Sequence, residues 1–256
     1  MSSVQLVVTS PPYHIGKEYD LKCDFDVYLE DQRKTILECW RALSDTGSLC
    51  WQVGNYVKNG EILPLDIPVY QICHDFGMKL RNRIIWTFSH GLHCTHRLSH
   101  RYETIMWFTK SDNYVFNLDA IRVPQKYSRK KFFKGPKKGQ LSCNPLGKNP
   151  TDIWEVPNVK HNHCEKTEHP CQFPVELIER LILALTNEDD LVIDPFAGVA
   201  SSLCAAILHG RRYAGSEINE KYVEIGRERM QLAREGKLRT RPMGRPIHDP
   251  SLSSKV

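Results

Sequence analysis

Leu191-Val192-Ile193-Asp194-Pro195-Phe196-Ala197-Gly198-Val199-Ala200-Ser201-Ser202 is the stretch whose reading decides the fold. A short apolar strand delivers an acid at Asp194. A loop of small residues turns the chain, and the run that follows opens a helix over 201–209, stopped by Gly210. In a doubly wound sheet such a turn lies at the carboxyl ends of the strands, where ligands bind. Glu217 ends the next predicted strand, 19 residues after Gly198. An acid at about that distance can grip ribose hydroxyls. The Gly-x-Gly-x-x-Gly of dinucleotide sites is absent. The loop keeps only Gly198, and Asp194 would repel a pyrophosphate set against it. A ligand with a ribose and a cationic or amino group fits better, and S-adenosylmethionine has both.

Outward from this unit, strands and helices alternate. Strands are predicted at 4–8, 48–53, 83–88, 101–109, 191–194 and 213–217. Helices are predicted at 27–44, 67–76, 175–186 and 201–209, and from a cap at Asn219 to about 235. Asp45-Thr46-Gly47 is read as a helix stop, and Pro174 as the first residue of a helix. This alternation predicts an α/β fold with a doubly wound, mostly parallel sheet. A chain of 256 residues can bury one full core, with room for an insertion. Residues 14–22 read as a mobile loop, 110–157 show no regular period, and 237–256 read as a disordered tail.

A second motif stands at the end of the first predicted strand: Thr9-Ser10-Pro11-Pro12-Tyr13. It places a hydroxyl, a rigid kink and an aromatic ring at a strand end. Pro11 and Pro12 have no N–H, so this backbone presents carbonyls only. The exocyclic amine of a nucleobase is a poor nucleophile, because its lone pair is delocalised into the ring. Two acceptors on its hydrogens, the Ser10 hydroxyl and the Pro11 carbonyl, would favour the pyramidal nitrogen that attacks a methyl group. Tyr13 would stack on the base plane.

No apolar stretch is long enough to span a bilayer, and residues 4–8 are too short and lack the basic flank of an export signal. Nine cysteines without a regular framework read as free thiols, so the expectation is an intracellular protein with no membrane partner. The formal charge is +5, and its distribution says more. Residues 120–150 carry Lys126, Arg129, Lys130, Lys131, Lys134, Lys137 and Lys138 among their cations, and no acid. Interleaved with Tyr127, Phe132 and Phe133, they suit a polyanion.

Together the two motifs resemble those of the amino-group DNA methyltransferases, whose catalytic motif is Asp/Asn/Ser-Pro-Pro-Tyr/Phe and whose cofactor motif is Phe-x-Gly-x-Gly. The catalytic motif comes first here, an order that resembles the β group of that family. Thr151-Asp152-Ile153-Trp154 and His169-Pro170-Cys171-Gln172-Phe173-Pro174 resemble two further family segments, so the likeness runs over about residues 4–229. It implies a seven-stranded Rossmann-like sheet with an inserted target-recognition segment. The divisions it implies are a single domain over 1–236, with a catalytic half to about 110, an insert over about 111–160 and a cofactor half beyond. It implies S-adenosylmethionine as cofactor, held by Thr9, His169, Pro170, Asp194, Phe196, Ala197, Gly198 and Glu217. Ser10, Pro11, Pro12 and Tyr13 would be catalytic. Double-stranded DNA would be the partner, gripped by the seven cations named above, with the target base flipped from the duplex. A homodimer and a companion restriction nuclease also occur among such proteins. The Ser-Pro-Pro-Tyr form is typical of enzymes that make N4-methylcytosine, and some adenine-N6 enzymes share it.

One departure stands out: Ala200 occupies the place of the family's second glycine. That residue favours a competing reading, an inactive DNA-binding module on the same fold. His93, Cys94, His96, His161, His163, Cys164, His169 and Cys171 match no common zinc spacing, and no metal is expected. Cys50 and Trp51 read as packing, and Tyr19, Asp20 and Asn55 as solvated loop residues.

Overall fold

The computed structural model describes residues 3–13, 24–127 and 129–247. In chain order its elements begin with β1 (Val4–Thr9), α1 (Phe25–Ala42), β2 (Leu43–Val53), β3 (Asn55–Lys58), β4 (Glu61–Pro64), α2 (Asp66–Asp75), β5 (Lys79–Thr87) and β6 (Tyr102–Thr109). A 3₁₀ turn (Leu118–Ile121) follows, then β7 (Ile153–Glu155), α3 (Val175–Leu185), β8 (Leu191–Asp194), α4 (Ser201–Leu208), β9 (Arg212–Gly215) and α5 (Glu220–Arg234). Seven strands form one sheet in the order β7-β5-β6-β2-β1-β8-β9. β1 pairs in parallel with β2 and β8, β8 with β9, and β5 with β7. β6 alone runs against its neighbours β2 and β5. The carboxyl ends of β1, β2, β5, β7, β8 and β9 therefore share one edge, and β6 starts there.

β1 is central, so both of its faces are covered and its whole length is buried. Leu6 and Val8 pack with Leu177, Ile178 and Leu181 of α3. Val4 and Val7 pack on the other side with Ile36 of α1 and Val69 of α2. Each such side chain, fully buried, contributes on the order of 2 kcal/mol. Val4 and Val7 share a face because the register slips between Val4 and Leu6.

That slip corrects one expectation. Asp45-Thr46-Gly47 lies inside β2, not at a helix stop. The buried Gln5 replaces the missing ladder there. Its Nε2 donates to the Thr46 carbonyl at 2.8 Å, and its Oε1 accepts from the Thr46 hydroxyl at 3.1 Å. The β3–β4 hairpin was not foreseen, although Asn59-Gly60 turns it with φ of 52° and 85°. That dipeptide is a strong hairpin signal, masked here by short flanks of mixed polarity. β7 was also missed. It is three residues long, and its stability comes from the buried Trp154, whose ring stacks under Arg180 of α3 at 4.9 Å.

Pro174 precedes α3 instead of opening it. The buried Glu165 carboxylate accepts from the Val175 N–H at 2.9 Å and so caps this helix from the loop that leads into it. Asn219 caps α5 as expected, accepting from Lys221 and Tyr222. The segment after Gly236, expected to be disordered, is tied down as far as residue 247. Arg241 pairs with the buried Glu176, whose carboxylate also accepts from the Gly244 N–H at 3.0 Å. Residues 248–256 and the loop residues 14–23, with Tyr19 and Asp20, lie outside the described residues. No helix among the described residues is long and apolar enough to cross a membrane.

Candidate active site

A cavity of about 430 Å³ opens at the carboxyl edge, between β1 on one side and β8 and β9 on the other. Ser10, Pro11, Pro12 and Tyr13 form one wall. Phe196, Ala197, Gly198 and Glu217 line the other side, with His169 against Gly198. The fold thus brings both sequence motifs to one site.

Three expected ligand residues, Thr9, Pro170 and Asp194, do not line the cavity. Asp194 is wholly buried, and the protein takes up both of its carboxylate oxygens. The Thr9 hydroxyl donates to Oδ1 at 2.5 Å and the Phe196 N–H donates to the same oxygen at 3.0 Å. Ser202 at the start of α4 donates to Oδ2. Thr9 is likewise buried. The two residues form a knot beneath the cavity, which holds the ends of β1 and β8 and the start of α4 together. Burial raises the Asp194 pKa to about 6, although these three donors pull it down. Pro170 is exposed outside the cavity lining, and its neighbours His169 and Cys171 face inward.

The glycine loop is shaped by two left-handed residues. Gly198 has φ +50°, and a side chain there would meet His169 Nε2 at 3.3 Å. The Gly198 N–H donates to Glu217 Oε2 and the Asn219 N–H to Oε1, both at 2.9 Å. Each oxygen keeps a second lone pair, so the Glu217 carboxylate is fixed in place and still able to accept hydroxyl donors in the cavity. Ala200 has φ 62° and ψ 34°, a conformation that costs a residue with a Cβ about 1 kcal/mol. Its methyl points at Gly226 of α5, where an added Cβ would lie 3.2 Å away. The methyl therefore fills a gap between α4 and α5 and does not narrow the loop.

Tyr13 is half-buried, and its ring lies against Gly54. Burial, and next to it the Glu103 carboxylate, push its phenol well above the usual range, so it stays protonated. Its hydroxyl donates to Glu103 Oε2 at 3.2 Å, and Gln52 Nε2 donates to the same oxygen at 2.5 Å. Ser10 Oγ lies 2.9 Å from the Tyr13 hydroxyl. The one phenolic hydrogen goes to Glu103, so the Ser10 hydrogen must go to Tyr13. The Ser10 oxygen is thereby left as a pure acceptor toward the cavity. Sequence reading missed Glu103 and Gln52, because only the β2–β6 pairing brings them beneath the motif.

The seven cations from Lys126 to Lys138 are all exposed, as are Tyr127, Phe132 and Phe133. They sit on an arch closed by a Val123–Lys148 bridge, with a second bridge, Lys131–Leu141, inside it. The arch precedes β7, the edge strand four places from β1, and none of its cations is among the residues that line the cavity. These cations belong to a separate surface and do not line the cavity. Among the described residues, His163, Cys164 and Glu165 place ligand-type atoms within 4.8 Å of one another. The Glu165 carboxylate in that group already caps α3 and faces Arg229 at 3.7 Å.

Known proteins resemble the chain in sequence and in fold. The chain belongs to the DNA methylase family of N6 and N4 methyltransferases, whose model matches residues 4–228. The type II methyltransferase M.BglII of Bacillus subtilis is 49% identical over 225 residues, covering 88% of this chain and 62% of that protein. The chain thus spans somewhat less than two thirds of that relative's length. The DNA adenine methyltransferase YhdJ of Escherichia coli K12 is 32% identical over 238 residues, covering 90% of this chain and 77% of that protein. TTHA0409 of Thermus thermophilus, described as a candidate DNA modification methylase, was solved with S-adenosylmethionine. It superposes with a TM-score of 0.63 at 28% identity, over 92% of this chain and 90% of that one. The cytosine-N4-specific PvuII DNA methyltransferase shares the fold, with a TM-score of 0.67 at 18% identity, over 93% of this chain and 86% of that one.

Proposed function

We propose that the chain transfers the methyl group of S-adenosylmethionine to the exocyclic N4 amine of a cytosine flipped out of duplex DNA. The observation that carries this reading is the Ser10 oxygen, held as an acceptor at the wall of the cavity by the Tyr13–Glu103 chain. The cavity suits the cofactor. Its volume is within the range of small-molecule sites. It offers one fixed carboxylate, Glu217, and the apolar faces of Phe196, Ile218 and Tyr222. When bound, S-adenosylmethionine supplies a sulfonium methyl open to one-step displacement.

The chain's own residues bind and orient. Glu217 would accept the ribose hydroxyls, and Phe196 and Ile218 would pack on a purine. Ser10 Oγ and the Pro11 carbonyl would accept the two amine hydrogens, which localises the nitrogen lone pair and directs it along the transfer line. Preorganised contacts of this kind act mainly by fixing geometry. The amine proton leaves after transfer, so no strong base is required. Tyr13, tied at its hydroxyl, would offer its ring to the base plane. Ser-Pro-Pro-Tyr favours cytosine by family resemblance. The name of the 32% identical adenine methyltransferase favours a second reading, adenine N6 as the acceptor.

The exposed arch from Lys126 to Lys138 would hold phosphates, and the type II names of the relatives support a modification role beside a restriction nuclease. Tritium-labelled S-adenosylmethionine and unmethylated plasmid DNA test the reading. Label in the DNA, with calorimetric binding of S-adenosylmethionine, is the expected result. Cofactor binding with no transfer to any DNA would instead leave an inactive module.

A further inference from the structure

The β5–β6 loop, residues 88–101, reads Phe-Ser-His-Gly-Leu-His-Cys-Thr-His-Arg-Leu-Ser-His-Arg and contains no acid. It emerges at the carboxyl edge of the sheet, on the same side as Ser10. Its base stands beside the residues that support Tyr13. Asn55 Nδ2 and His100 Nδ1 are 3.2 Å apart, Asn55 follows the glycine that supports the Tyr13 ring, and Glu103 lies two residues beyond Arg101.

The loop is built, not slack. Its first residue donates from the Phe88 N–H to the Arg101 carbonyl at 3.0 Å. The Arg101 guanidinium donates to the Leu92 carbonyl at 3.0 Å and the His100 carbonyl at 2.7 Å, in a space that only glycine leaves open at position 91. The Cys94 N–H donates to Ser99 Oγ at 3.1 Å, and Asn158 Nδ2 donates to the His90 carbonyl at 3.0 Å. A loop ordered in this way could have buried its leucines. It presents them instead, with Leu92 88% and Leu98 94% exposed. Beside them stand the exposed Arg97, His93 and His96.

We propose that this loop is a second DNA-contacting element, whose Leu92 and Leu98 enter the duplex beside the flipped base while Arg97 contacts the backbone. The proposal rests on the methyltransferase reading above. Position and charge argue for duplex DNA as the occupant. The acceptor oxygen stands at the end of β1, on the carboxyl edge of the sheet. A duplex that delivers a base there lies beside the ends of β5 and β6, where this loop stands. An acid-free loop suits phosphates, and an exposed leucine pair in it suits the apolar wedge that unstacks a base step.

The test compares two duplexes carrying the sequence that the protein methylates in plasmid DNA. In one the target base is paired; in the other it faces an abasic site and needs little help to leave the stack. The Leu92→Ala/Leu98→Ala variant is expected to keep its melting temperature. Its kcat/KM should fall about tenfold on the paired duplex and less than about twofold on the abasic one. Equal loss on both duplexes, or no loss on either, overturns the wedge while leaving the methyltransferase intact. Wild-type protein inactive on both overturns the underlying reading and the wedge with it.

Discussion

Thr9 and Asp194, 185 positions apart in the chain, share a 2.5 Å hydrogen bond where β1 and β8 leave the sheet. One precedes Ser10 and the other precedes Pro195-Phe196, so a single buried carboxylate sets the two functional loops against each other. Burial raises its pKa from 3.8 to about 6. The folded protein therefore binds this proton more tightly than the unfolded chain does. The group's contribution to stability is fully present below about pH 4 and is lost as the pH rises to about 6, a span of about 3 kcal/mol. Asp194→Asn removes that term. Urea unfolding of both proteins between pH 4 and pH 7 should show the variant gaining on the wild type as the pH rises. A constant difference would mean that Asp194 titrates normally.

Directed hydrogen bonding at Ser10 makes a second prediction. Ser10→Ala removes the acceptor itself, and the loss of one preorganised hydrogen bond should lower kcat about 100-fold or more. Tyr13→Phe keeps the ring and frees the Ser10 hydrogen, so a smaller loss of about tenfold is expected. Neither change should alter S-adenosylmethionine affinity in calorimetry. A Tyr13→Phe variant with full kcat would show that the orientation of Ser10 does not matter.

The balance between local and long-range information explains what the sequence revealed. Leu191–Asp194 and the Asn219 cap were legible, because strand, loop and cap are encoded within a few residues. The partners Ser10 and Glu217 were legible as motif members for the same reason. The role of Asp194 was not, since its carboxylate is occupied by Thr9 and Ser202 only once the strand order is known. Glu103 was invisible inside an ordinary apolar strand. Docking of Arg241 on Glu176 was hidden by a composition that reads as disordered, which one buried ion pair and its backbone hydrogen bonds override.

Ala200 and Gly226 should be energetically coupled. Gly226→Ala would gain about 1 kcal/mol of helix propensity, but its methyl meets that of Ala200 at 3.2 Å. Alone it should destabilise the protein by about 1 kcal/mol, and in an Ala200→Gly background it should stabilise by a similar amount. Four urea titrations complete the cycle. Additivity within about 0.3 kcal/mol would mean that the two methyl groups do not compete.

The basic arch predicts a salt signature. Removing Lys130, Lys131, Lys137 and Lys138 together should weaken binding to any DNA sequence. It should also flatten the plot of log affinity against log salt, by about one unit for each phosphate that the arch no longer neutralises. Fluorescence anisotropy over a range of salt concentrations measures this. An unchanged slope would assign the phosphates to other residues.

The most direct measurement is the identity of the product base. DNA incubated with the purified protein and methyl-deuterated S-adenosylmethionine is digested to nucleosides and analysed by mass spectrometry. With Ser10 as an acceptor facing a cytosine amine, the label should appear in N4-methyldeoxycytidine and be lost in Ser10→Ala. Label confined to N6-methyldeoxyadenosine would contradict the cytosine reading, and label unaffected by Ser10→Ala would contradict the role given to that oxygen.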